Sequence, residues 1–189
     1  MADYTIQNLQ QRILRMSSRE IWTLVHGLVF GGGFLLLFSA GFQSLINLRA
    51  EHLSETGLRI QLRTLGAVAW IMAATAWVTV ILGTYWVYPW YRAVPPKTLS
   101  SLQEYPKYFL TQSHHPGWHT FGMEWKEHIA WLVPILLTAS AFLVTRFGRL
   151  LAADARLRRM VLFLFSVAFF GAVVAGTLGA LINKAAPLR

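Results

Sequence analysis

The chain has 189 residues, 55% hydrophobic and 13% charged, with a net charge of +9 and a mean hydropathy of +0.45. Soluble domains carry about 25% charged residues, so a charge deficit gathered between apolar runs excludes an ordinary water-soluble core and points to a bilayer. The absence of Cys excludes disulfides, thiolate zinc sites, Cys-x-x-Cys-His haem attachment and Cys-ligated iron–sulfur clusters.

Residues 4–19 place Ile6, Leu9, Ile13 and Met16 at steps of three and four, with Arg12, Arg15 and Arg19 elsewhere on the wheel. This pattern predicts an amphipathic helix on the membrane surface or against a partner subunit. The first 20 residues are too polar for a signal peptide, and the apolar run that follows is too long for an h-region. No Asp, Glu, Lys or Arg stands between Glu20 and Arg49, and about 20 apolar residues cross a bilayer as a helix. The first span is therefore expected at about 21–43, followed by a polar connection over 49–66.

A second charge-free stretch, Thr64 to Tyr91, predicts a span at about 67–90. It ends in Tyr85-Trp86-Val87-Tyr88-Pro89-Trp90-Tyr91, an aromatic belt of the kind that anchors helices at headgroup depth. A long loop over 92–127 follows, with a short interfacial helix expected at 98–110. Spans three and four are expected at about 128–146 and 160–182. In span four, Gly171, Ala175 and Gly179 stand four apart, as do Ala172, Gly176 and Ala180. Small residues at that spacing let helices approach closely in lipid.

The predicted architecture is an all-α integral membrane protein. An N-terminal interfacial segment over 1–20 precedes one four-transmembrane-helix bundle over 21–189, with the long loop between helices two and three. Up-down topology puts nine Lys and Arg on the side of the termini and eight on the other, so the positive-inside rule does not set the orientation. Basic residues beside the spans are explained by membrane lipids as partners. With no reading motif present, nucleic acid is excluded.

Histidine carries the chemistry. His26 lies inside span one, and an ionisable ring there is costly enough to mark a functional site. Topology brings His26, His114, His115, His119 and His128 to one membrane face and leaves His52 opposite. That convergence suits a non-covalent b-type haem, which needs two axial imidazoles from separate elements, a slot for a flat ring and cations for its propionates. His26 with His128, His119 or His115 supplies the axial pair. Gly33, seven residues beyond His26, shares its face in a regular helix, and Gly27, Gly31 and Gly32 thin the same segment. Arg19, Arg92 or Lys126 would meet propionates, and Met72 or Met160 is the alternative ligand type. Glu124 and His128 stand i, i+4 on a helix, and Glu124 with Glu127 forms a possible quinone or proton site.

These residues support three readings. One is a membrane electron-transfer subunit with haem b, part of a respiratory or photosynthetic complex that exchanges electrons with quinone or a redox partner. Its expected location is a bacterial inner membrane or an equivalent energy-transducing membrane, and its enzymatic role is at most that of a redox subunit. The second is a cofactor-free accessory subunit of such a complex, docked to its other subunits. The third is a metal-handling membrane protein that uses the 114–128 cluster for zinc or copper.

Overall fold

Lipid offers the backbone no hydrogen bonds, so long uncharged stretches close their own as helices. The computed structural model describes residues 16–97, 101–112 and 116–186, apart from the His52 side chain. It shows four helices long and apolar enough to cross a membrane: α1 Ser18–Ile46, α2 Glu55–Tyr91, α4 Trp118–Ala153 and α5 Ala155–Ala185. A short α3, Pro106–Gln112, lies between α2 and α4. There is no strand among the described residues.

The helices outrun the spans read from hydropathy. The 49–66 connection is already helical from Glu55, and Trp118–Glu127 belongs to α4, so the α2–α4 connection shortens to 92–117. Hydropathy marks where charge stops; burial of Leu58, Leu65, Ala69, Met72, Ala73, Ala76 and Val80 at helical spacing keeps α2 wound beyond that point. The interfacial helix expected at 98–110 is found only as the shorter, later α3. The amphipathic segment expected over 4–19 falls almost entirely outside the described residues.

Local chemistry sets the ends. Ser17 caps α1 in a reciprocal box: its hydroxyl accepts from the Glu20 N–H at 3.2 Å, and the Glu20 carboxylate accepts from the Ser17 N–H at 2.7 Å. Ser54 caps α2 by accepting from the Gly57 N–H. Asp154 alone separates α4 from α5. Its carboxylate accepts from the Arg156 and Leu157 N–H groups, while Arg158 donates to the Leu151 and Ala152 carbonyls. One residue thus starts the last helix while a side chain from its first turn closes the previous one.

Hydroxyls within the spans are satisfied by their own helix. Thr23, Ser39, Thr75, Thr79, Thr138, Ser140, Thr145 and Ser166 each donate to the carbonyl four residues back. Away from the ion pairs at the ends, α2 bonds both neighbours: Trp77 Nε1 donates to Thr138 Oγ1 of α4 at 3.0 Å, and Gln61 Nε2 donates to the Ser44 carbonyl of α1 at 3.1 Å.

The main core joins α1, α2, α4 and α5 through Phe34, Leu45, Leu65, Met72, Leu137, Val144 and Phe165. A second cluster of Tyr91, Leu110, Met123, Ile182 and Ala186 closes the end where α2 stops and α4 begins. In α5, Gly171 lies against Val133 and Ile129, Gly179 lies against Lys126, and Ala175 between them is buried, so this row is a packing face. Helix α1 is peripheral: 6% of its apolar window is buried, against 39% for α2.

Asp154→Ala should lower stability by about 1 kcal/mol through loss of the cap. Gly148→Leu should cost about 1–3 kcal/mol, because a Cβ there meets Leu62 at 2.7 Å, whereas Gly176→Leu projects into open space and should be near neutral. Denaturation midpoints in one detergent measure all three.

Candidate functional site

Three wide turns of π-helix occur in the spans, at Val25–Phe30, Gly83–Val87 and Trp118–Met123. All lie toward the membrane face that holds the end of α2 and the starts of α1 and α4. A π turn inserts one residue and shifts the phase of everything beyond it by about 100°. On α1 the consequence falls on His26. Phe34 lies eight residues later, but the extra residue makes this equivalent to seven, two regular turns. His26 is thereby brought into register with the inward stripe of Phe34, Gly41 and Leu45. Gly33 loses the register expected for it and lies about a third of a turn from His26.

The His26 ring lies on Gly83 of α2. A Cβ added at Gly83 would sit 2.8 Å from His26 Cε1 and 3.3 Å from Nε2, so only glycine admits the ring in this pose. The Thr79 backbone, one turn earlier on α2, is a polar neighbour of the ring. Nδ1 is buried without a hydrogen-bond partner. Trp22 and Trp86 flank the crossing, with ring centroids 6.1 Å apart. Lys126 of α4 is close enough to act electrostatically on His26, and its stem crosses Gly179 of α5.

Nearer the surface lies a polar cluster. Arg92 donates to Glu124 Oε1 at 3.1 Å, stands 3.8 Å from Glu127 Oε1 and covers the Tyr88 ring at 4.7 Å. Glu127 Oε1 is buried and accepts no hydrogen bond; the charges of Arg92 and Lys126 and the Tyr88 hydroxyl lie around this carboxylate. Tyr91, buried at the end of α2, hydrogen-bonds through its hydroxyl with His119 Nδ1 at 3.0 Å.

His128 is exposed, and its Nδ1 donates to the Glu124 carbonyl at 2.7 Å. A carbonyl only accepts, so Nδ1 carries the proton and Nε2 of the neutral ring keeps a free lone pair. The i, i+4 relation of Glu124 and His128 is therefore made through the backbone, while the Glu124 carboxylate serves Arg92. His114 and His115 lie outside the described residues, and His52 falls in a 3₁₀ turn, Ala50–His52, at the opposite end. Met72 is buried in the core and Met160 is exposed. No three His, Asp or Glu side chains group as a metal site among the described residues.

The glycine run gives an unexpected result. A Cβ at Gly27, Gly31, Gly32 or Gly33 meets nothing within 4 Å, so these residues do not admit a neighbouring helix of this chain. Two contributors were not singled out from sequence. Gly83 was one glycine among many, although it lies nine residues before Arg92 and so near the depth of His26, six residues after Glu20. Tyr91 belongs by sequence to the aromatic belt, and only the fold brings it to His119.

The arrangement defines a class: a multi-pass, all-helical membrane protein with a histidine seated between two helices near one face. Compared with protein-family models, curated proteins and solved structures, the chain matches none.

Gly83→Ala should weaken α1–α2 docking by about 1–3 kcal/mol, while Gly31→Ala should be neutral or mildly stabilising. The pair His26→Ala with Gly83→Ala should recover part of the loss; additive midpoints in detergent would show that the ring and the glycine do not meet. Arg92→Gln should lower the thermal midpoint by removing one of the two cations beside Glu127, and Glu127→Gln in that background should restore part of it, since Lys126 then loses its carboxylate.

Proposed function

We propose that the chain is a membrane electron-transfer subunit that holds a b-type haem near the face where α1 begins and α2 ends. The observation that carries this reading is the buried Nδ1 of His26, which has no partner. A buried imidazole nitrogen in lipid is costly unless something satisfies it, and a metal does so. His128, exposed on α4, would be the second ligand, because its Nδ1 is held by a carbonyl and its Nε2 is free, the usual state of a ligating imidazole. The uncovered glycines of α1 fit the edge of a flat ring. Lys126, near His26, would face a propionate and shares Glu127 with Arg92, which is also bound to Glu124.

When bound, haem supplies one-electron exchange between a quinone or redox partner and the complex. The chain's own residues do the rest. Gly83 and Thr79 fix the His26 ring plane, Glu124 fixes the His128 tautomer through its carbonyl, and the Arg92–Glu127 pair holds a carboxylate at the face where a quinone would exchange protons. This role belongs in a bacterial inner membrane or an equivalent energy-transducing membrane, within an assembly of other subunits.

A second reading, a cofactor-free accessory subunit, is favoured by α1 itself. Leu28 and Leu36 are 68% and 76% exposed beside the open glycines, a surface that a helix of another subunit would cover equally well.

The visible redox difference spectrum of the purified protein decides between them. The haem reading expects a Soret band with a sharp reduced alpha band, reduced to below about a tenth in His26→Ala and His128→Ala. A featureless spectrum assigns the chain to the accessory role, and full absorbance in both variants removes these two residues as ligands.

A further inference from the structure

The opposite end of the bundle carries a groove unrelated to the histidines. It lies between the start of α2 and the end of α4 and encloses about 710 Å³, within the range of about 300–1,000 Å³ typical of small-ligand sites. Its walls at span depth are Gly66, Ala67, Trp70 and Val144. Its mouth is basic, with Arg59, Arg63, Arg146 and Arg149. Phe147, which lines the groove, departs from helical geometry, with φ −122° and ψ 19°. At the same level the helices approach closely: a Cβ at Gly66 would stand 3.0 Å from Thr145 Cγ2.

The four arginines are not equivalent. Arg149 is paired with Glu55, and Arg59 stands 4.0 Å from the same carboxylate. Arg63 and Arg146 have no carboxylate within ion-pair distance among the described residues, and Arg146 packs over the Phe147 ring at 5.5 Å. Two unneutralised guanidinium groups thus stand over an apolar channel where α2 passes from its charged start into the charge-free stretch that begins at Thr64. A soluble anion would use the charge and leave the channel empty, and a neutral lipid would do the reverse.

We propose that this groove is a binding site for one anionic phospholipid. Arg63 and Arg146 take the phosphate of the headgroup, and an acyl chain lies along Gly66, Ala67 and Trp70. Charge complementarity selects the head and the apolar wall selects the tail.

Native mass spectrometry of the full chain in neutral detergent tests this. The probes are phosphatidylglycerol, phosphatidylcholine with the same acyl chains, and inorganic phosphate. The unaltered protein should retain phosphatidylglycerol at least tenfold more tightly than phosphatidylcholine. Arg63→Gln with Arg146→Gln should weaken that retention roughly thirtyfold, from about 1 kcal/mol per arginine. Arg156→Gln with Arg159→Gln removes the same charge from the same face outside the groove and should leave retention unchanged. Ala67→Trp fills the channel and should abolish retention with every arginine in place, which keeps the test decisive if the double arginine variant fails to fold. Equal retention of the two lipids, equal weakening by the 156/159 pair, undiminished binding in Ala67→Trp, or displacement of the lipid by millimolar phosphate would each overturn the site.

Discussion

The structure turns on the seating of one ring on one glycine. His26 reaches Gly83 only because the first helix takes a wide turn at Val25–Phe30. Without the added residue, the inward stripe of Phe34, Gly41 and Leu45 would carry His26 off the bundle axis by about 100°, toward lipid. A polar ring facing hydrocarbon is costly, and a ring facing another helix with one nitrogen unpaired is a lesser cost that still wants a partner. The wide turn therefore converts an unfavourable residue into a defined one. Gly83 completes this, since any larger residue at that point would push the two helices apart.

The same lipid constraint explains why polar groups collect at the two ends. Between them, every Ser and Thr with an assigned bond uses its own helix, and a single side-chain bond joins α2 to α4. The rest of the middle is held by shape, through small residues on α5 and the Phe38, Phe165 and Phe169 stack. At one end the charges are mixed and largely compensated, with Arg92 between two glutamates. At the other, arginines outnumber carboxylates among the groove residues, the charge balance behind the anionic lipid proposed for that groove.

Much of the bundle could be read directly from the sequence, because charge-free runs longer than a bilayer have few alternatives. The packing role of Gly171 and Gly179 followed from their spacing. So did the gathering of His26, His119 and His128 at one end, which needs only the count of spans. Helix ends were harder, since Glu55–Arg63 and Trp118–Glu127 are charged yet helical, and hydropathy cannot see a helix that continues through headgroups. The π turns were not legible at all. They occur on α1, α2 and α4, and no residue type encodes them; neither the phase of Gly33 nor the role of Gly83 therefore follows from the sequence. The interface of Arg92 with Glu124 and Glu127 joins positions 32 and 35 residues apart, a pairing that only the fold supplies.

One consequence ties the parts together. The helix that carries His26 is also the one least held by the bundle, with its glycines facing open space and its outer leucines bare. Helix association in lipid draws on close packing, not on escape from water, so an uncovered face contributes little to holding α1 in place. A flat cofactor or a neighbouring helix that bound that face only in the docked arrangement would stabilise α1 by mass action, in proportion to the logarithm of its concentration over its dissociation constant. The proposed site and the stability of the first span would thus be linked, because the His26 ring sits on the element with most to gain from a ligand.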